Sequence, residues 1–231
     1  MCKYNTTQKA ERFALSVNGT ATDVREKKCI NKALAVANVP AGANVLDLPC
    51  GTGRLIPLLK KRGYKVTAAD VSEHMLAQAK YYMGQSGENC IDEKDNFQLA
   101  NILKTDFEGN CFDAVVCHRL FQYFSDSKTR QQVLKELRRI CSGPIIVSFL
   151  CNVAIDEVWD FILNITRKRN QRGCISISYR TFRKDALESG LIIKKWILMR
   201  PLISKRWCAV LEQDKTQQII TTKMTSPLCF K

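Results

Sequence analysis

The chain has 231 residues, 45% of them hydrophobic and 25% charged, an ordinary globular composition with enough length for one large core. Lys plus Arg number 36 against 22 Asp plus Glu, a formal charge of +14 that keeps nucleic acid, a phosphorylated metabolite or a membrane surface in view as partners. No apolar run approaches the roughly 18 to 20 residues of a membrane-spanning helix, and Pro144 to Leu150 is short enough to be a buried strand.

Residues 1 to 20 are polar and weakly periodic. Asp23 to Val39 then reads as an amphipathic helix with Ile30, Leu34 and Ala37 on one face, ended by Pro40 and Gly42. Asn44 to Leu48 is a short apolar strand, followed at once by the turn Pro49-Cys50-Gly51-Thr52-Gly53 and a helix from Arg54 to about Arg62, with Gly63 as its stop. The pattern repeats: strand Lys65 to Ala69, helix Ser72 to about Met83, strand Asn96 to Ala100, strand Phe112 to Cys117, helix Ser127 to Cys141, strand Pro144 to Leu150. Continuously apolar strands joined by helix-length crossovers predict an α/β fold with a parallel sheet covered on both faces.

After Leu150 the rhythm changes. An amphipathic insertion around Ile155 to Arg167 precedes a short helix, Thr181 to Ser189, stopped by Gly190. Two strands, Leu191 to Met199 and Lys205 to Leu211, stand close together around Pro201, which suggests an antiparallel hairpin at the sheet edge. Residues 212–231 are polar and Thr/Lys-rich and are expected to fray. One domain follows, with a leading helix or lid over 1–40, a cofactor-binding core over 41–151, an insertion and closing hairpin over 152–211, and the tail.

The basic residues lie in short clusters, Lys60-Lys61-Arg62, Arg138-Arg139, Arg167-Lys168-Arg169 and Lys194-Lys195, a distribution that favours solvated faces over a dedicated nucleic-acid surface. Eleven cysteines form no CxxC pair, and the start of the chain does not read as a signal peptide. Cys50, Cys117, Cys151 and Cys208 sit in or beside apolar runs and read as small buried hydrophobes in a reducing compartment, so a cytoplasmic protein without a metal site is expected.

The glycine turn after the first strand is where function is written. Gly51-Thr52-Gly53-Arg54-Leu55-Ile56 puts Ile56 where a GxGxxG dinucleotide turn needs its third glycine, and no Gly-Lys-Ser/Thr completes a phosphate P-loop. What remains is Asp47-Leu48-Pro49-Cys50-Gly51-Thr52-Gly53, with a second acid, Asp70, 19 residues beyond Gly51 at the end of the next strand. That spacing suits an acid accepting from ribose hydroxyls.

This set resembles the DxGxGxG signature of class I S-adenosylmethionine (SAM)-dependent methyltransferases, of the small-molecule kind found in ubiquinone and menaquinone biosynthesis, with Pro49 in place of the first glycine. The resemblance covers roughly residues 40 to 150. It implies a Rossmann-like, seven-stranded, mostly parallel sheet and SAM as cofactor, with S-adenosylhomocysteine as its product. It also implies a cofactor site. Pro49, Gly51 and Gly53 would stand at the methionine portion with Asp47, which could instead be an internal acid fixing the turn. Asp70 would stand at the ribose, Val71 and Met75 against the adenine, Asn101 at the adenine edge followed by Ile102, and Cys117 in the post-strand segment where sulfonium and acceptor meet.

His118 and Tyr123, in the segment Cys117-His118-Arg119-Leu120-Phe121-Gln122-Tyr123 just past the fourth strand, are the candidates for a general base. His118 could equally shape the pocket. Resembling enzymes often carry His-His where Gln122-Tyr123 stands. Tyr4, Phe13 and Tyr123 could cover the pocket and face the sulfonium, with Arg12 beside them. Trp159, Phe161, Trp196 and Trp207 could line an apolar acceptor pocket or pack in the core, and Arg167, Lys168, Arg169 and Arg172 would face an anion. The expected acceptor is a small molecule or lipid-linked intermediate, compatible with negative charge. RNA methylation rests on net charge alone, and a SAM-binding, non-catalytic partner subunit would carry the same motifs.

Overall fold

The computed structural model describes residues 6–85, 96–151, 174–199 and 205–214. Two helices, α1 (Thr7–Val17) and α2 (Ala21–Ala37), lead into β1 (Asn44–Asp47), α3 (Ile56–Lys61), β2 (Lys65–Asp70), α4 (Glu73–Gln85), β3 (Asn96–Leu99) and β4 (Ala114–Cys117). A 3-10 turn (Phe121–Tyr123), α5 (Ser127–Ile140), β5 (Ile145–Leu150), α6 (Tyr179–Glu188), β6 (Leu191–Leu198) and β7 (Arg206–Gln213) complete the order. The insertion around 155–167, with Trp159, Phe161, Arg167, Lys168, Arg169 and Arg172, lies outside the described residues, as do Tyr4, Pro201 and most of the expected tail.

The seven strands are ordered β3-β2-β1-β4-β5-β7-β6. Parallel pairs run from β3 through β5, with Val45 opposite Val66 on one side and Ala114 on the other. β1 and β4 are central and covered by helices on both faces, so β4 is apolar and buried throughout and β1 is buried from Val45 to Asp47. The hairpin is antiparallel as expected. Its second strand is the inner one: β7 inserts between β5 and β6, pairing Ile145 with Leu211 and Leu150 with Arg206. That insertion carries Arg206 and Cys208 into the middle of the molecule.

One core layer packs Ile30, Leu34, Leu59 and Met83 from α2, α3 and α4 against Val45, Val116 and Val210. The other packs Leu134, Leu137, Ile140 and Phe182 from α5 and α6 against Leu46, Val115 and Val147. Each such side chain, fully buried, contributes about 1.5–3 kcal/mol of transfer free energy. Trp196 and Trp207 join this second layer through Phe149 and Phe182, which stack at 4.4 Å. Core packing is therefore their observed role.

Helix ends follow local chemistry. Thr20, Asp126 and Ser178 cap α2, α5 and α6 by accepting from the N–H three residues on. Asn38, at φ 54°, ends α2 in the left-handed conformation. The weakly periodic N-terminus is a helix, α1, capped by Thr6 and burying only Ala10 and Val17. So thin an apolar stripe explains why its periodicity is faint. Phe112 pairs with Cys141 in an isolated bridge rather than extending β4.

Candidate functional site

The C-terminal ends of β1, β2, β3 and β4 converge on a cavity of about 460 Å³, within the usual size of small-molecule sites. Such a crevice outside the strand ends is where an open α/β sheet places its ligand.

The two glycines of the turn do different work. Gly51 has φ +55°, lines the cavity, and a Cβ built on it meets nothing within 4 Å, so the space beside it is open to the cavity. Gly53, at φ +74°, is off the cavity wall; a Cβ there would stand 2.9 Å from the Ala79 Cβ and 3.1 Å from Ile56 Cδ1. Its hydrogen side chain lets α4 pack against the turn. The structure thus gives Gly53 a packing role, seating α4 against the turn.

Asp70, at the end of β2, accepts from the Gly51 N–H (3.0 Å) with one oxygen and from the Ser72 N–H (2.9 Å) with the other. It ties the glycine turn to the start of α4 while lining the cavity. Burial raises its carboxyl above the ordinary range, opposed by those backbone donors. Val71, Met75, Asn101 and Ile102 continue the wall at this end. Val71 is 51% exposed, an apolar side chain standing uncovered at the mouth. Asn101 uses its side-chain oxygen on the Leu103 N–H at 3.0 Å.

Asp47 lies beneath the turn and off the cavity wall. Its two carboxylate oxygens are buried without a hydrogen-bond partner, and burial pushes the carboxyl up to about 8, with Arg54 opposing the rise and Asp70 adding to it. Cys117 is likewise wholly buried below the cavity, its thiol pushed well up by desolvation. Pro49 lines the wall.

At the β4 end the wall is charged. Glu26, on the buried face of α2, takes Arg54 at 2.8 Å, Arg206 at 3.0 Å, His118 Nε2 at 3.2 Å and Arg119 at 3.8 Å. Arg54 also meets Asp23 at 2.6 Å, which in turn holds Lys27. Desolvation works to raise the Glu26 carboxyl, but His118 and the guanidinium groups outweigh it and hold the group well below its usual range.

His118 lines the cavity with both ring nitrogens engaged. Arg119 donates its backbone N–H to Ser148 Oγ (2.9 Å), so the Ser148 hydroxyl is free to donate to His118 Nδ1 (2.7 Å). The proton then sits on Nε2, facing Glu26. Burial brings the ring down to about 4, which leaves it neutral near pH 7. This geometry gives His118 a bracing role between α2 and β5 and directs no lone pair into the cavity. Tyr123 is on the wall. Phe13 is too, but its face is covered by the Arg119 guanidinium at 5.6 Å, while Arg12 is exposed elsewhere on α1.

The cluster of Glu26, Arg54, Arg119, Ser148 and Arg206 escaped the sequence reading. One signal was there: Glu26 and Asp23 continue the apolar stripe of Ile30, Leu34 and Ala37 toward the helix start, and acids on a buried face announce partners. Lys27 apart, nothing local names those partners, which come from the turn before α3, the segment after β4, and β5 and β7.

Strand order and cavity define a Rossmann-like α/β protein with a small-molecule-sized crevice at the strand ends. Residues 45–143 match the family model of a methyltransferase domain. Over that stretch, which is under half of its length, the chain is similar to the class I SAM-dependent methyltransferase superfamily. It is 32% identical over 87 residues to a ubiquinone biosynthesis O-methyltransferase of Xanthomonas axonopodis pv. citri, covering 38% of this chain and 35% of that protein. It is 30% identical over 118 residues to a malonyl-[acyl-carrier protein] O-methyltransferase of Salmonella typhimurium, covering 50% and 42%. The chain thus spans less than half the length of these curated relatives. The magnesium protoporphyrin IX methyltransferase of Synechocystis, solved with bound S-adenosylhomocysteine, shares the fold with a TM-score of 0.69 at 17% identity, over 91% of this chain and 96% of that one. No described helix is long and apolar enough to cross a membrane.

Proposed function

We propose that the chain transfers the methyl group of SAM to a small-molecule or lipid-linked acceptor by in-line displacement. The observation that carries this reading is the cavity that Gly51 leaves open, bounded by Asp70 on one side and the post-β4 segment on the other. The residues fit the cofactor. Val71, Met75 and Ile102 offer apolar surface to a purine, the Asn101 amide can donate to its edge, and each Asp70 oxygen keeps a second lone pair for a ribose hydroxyl. The Asp47 carboxyl, buried without a hydrogen-bond partner under the turn and held protonated by burial, would be drawn toward ionisation by the methionine ammonium of a bound cofactor.

SAM, when bound, supplies an electrophilic methyl carbon on a good leaving group. The chain's own contribution is then chiefly position: fixing an acceptor in near-attack geometry contributes on the order of 7–11 kcal/mol. His118, braced at both nitrogens, holds the post-β4 backbone that forms the acceptor side. The names of the curated relatives, a ubiquinone biosynthesis O-methyltransferase and a malonyl-[acyl-carrier protein] O-methyltransferase, favour a small or carrier-linked acceptor over RNA.

Calorimetric titration with SAM and S-adenosylhomocysteine, with NAD as control, tests the reading. Saturable binding is expected, weakened at least tenfold by Asp70→Ala. Val71→Glu, at an exposed site outside the turn's hydrogen bonds, should weaken it similarly without lowering the melting temperature. Absence of binding by the wild type would sink the proposal.

A further inference from the structure

We propose that the acceptor presents a carboxylate, held by the Arg119 guanidinium at the β4 end of the cavity, and that the methylated atom is an oxygen of that carboxylate. The inference rests on the methyl-transfer reading above and names its substrate class.

Three observations carry it. First, the β4 end has a surplus of positive charge: Arg54, Arg119 and Arg206 converge on Glu26, Arg54 is also paired with Asp23, which holds Lys27 as well, and His118 beside them is neutral. Of these cations Arg119 has the longest contact, 3.8 Å, its side chain is 21% exposed, and it lines the cavity. A guanidinium fork of that kind suits a planar carboxylate.

Second, Arg119 is held in an unfavourable backbone conformation. Its φ is +61°, which costs a non-glycine residue on the order of 1 kcal/mol, and the bond from its N–H to Ser148 Oγ and the seat of its guanidinium over Phe13 maintain it. A side chain aimed at the cavity at such a cost is a candidate for ligand contact.

Third, the described residues at this end present guanidinium groups, an imidazole with both nitrogens engaged, and the Tyr123 phenol. An acceptor that must lose a proton finds no imidazole lone pair here, whereas a carboxylate arrives already ionised. In the transfer, one carboxylate oxygen forms a bond to the methyl carbon as the carbon–sulfur bond breaks and its electron pair returns to sulfur. The products are a methyl ester and neutral S-adenosylhomocysteine, with no proton to place.

An alternative source of the same anion is the cofactor's own carboxylate, and the experiment separates the two. The full chain is loaded with S-adenosylhomocysteine and probed by thermal shift with benzoate, hexanoate and malonate against the matching primary amides. The expected result is stabilisation by at least one carboxylate and by no amide, lost in Arg119→Gln, while S-adenosylhomocysteine affinity changes less than about threefold. Equal response to acids and amides, or no response to either, overturns the proposal. So does a tenfold loss of S-adenosylhomocysteine affinity in Arg119→Gln, which would assign the guanidinium to the cofactor. Label transferred from methyl-tritiated SAM to a cellular small-molecule extract should leave as methanol in mild alkali, and an alkali-stable product overturns it too. Failure of the wild type to bind S-adenosylhomocysteine at all would instead remove the underlying reading.

Discussion

The two ends of the cavity are built by different means. The cofactor end is local: a glycine turn after β1, a carboxylate at the end of β2 and a short wall after β3, tied by side-chain oxygens that accept from nearby backbone N–H groups. The β4 end is assembled from side chains separated by up to 180 residues between Glu26 and Arg206, and long-range ion pairs hold it. Backbone-built sites tolerate drift in the surrounding sequence, whereas a buried charge cluster stands or falls with each member. Stability and cofactor affinity should therefore separate on mutation.

The largest effect is expected at Glu26. Replacing it with Gln leaves Arg54, Arg119 and Arg206 facing one another without their shared carboxylate, and removing one partner of a buried ion pair typically destabilises by about 3–5 kcal/mol. Urea unfolding measures it, and a loss under about 1 kcal/mol would break the contrast between the two ends. The same cluster predicts acid sensitivity. His118 titrates near 4 when folded and near 6.5 unfolded, so the unfolded chain takes up a proton first and stability falls as pH drops through that window. Glu26, depressed in the fold, adds a further loss below about pH 4.3, where the unfolded chain begins to bind its proton. Glu26→Gln should flatten the lower part of that profile.

The glycines sharpen the comparison at intermediate size. Gly53→Ala drives a Cβ into Ala79 at a positive φ and should lower stability by about 1–3 kcal/mol. Gly51→Ala carries a similar backbone penalty of about 1–2 kcal/mol but meets open space, so its larger consequence should be weaker S-adenosylhomocysteine binding. Thermal melts and calorimetry on both variants test this, and matching profiles would contradict the division of roles.

The smallest effect concerns Asp47. Its carboxyl stands near 8 in the fold against about 3.9 unfolded, so the unfolded chain releases a proton that the fold retains, and stability declines as pH rises between those values. Asp47→Asn, measured without cofactor, should melt a few degrees above wild type at pH 8.5 and lose that advantage near pH 4.

Much was legible beforehand where neighbouring residues decide the outcome. The strand–turn–helix rhythm, the apolar β1 and β4, and the pairing of Gly51 with Asp70 follow from spacing and side-chain type, because a parallel strand and its following turn are contiguous in the chain. Helix α1 was faint because it buries so little. Gly51 and Gly53 looked alike because a positive φ suits glycine at either position, and only the neighbour across each Cβ position distinguishes ligand space from helix packing.

The sequence by itself determined the class of fold, the cofactor turn and most of the wall around it. The tertiary structure alone decided that β7 slips between β5 and β6, that Arg206 thereby reaches Glu26, and that His118 has both nitrogens occupied. The physical reason is range: a turn and its hydrogen bonds are encoded within a few residues, while a buried charge takes its partners from whichever strands the sheet order brings beside it.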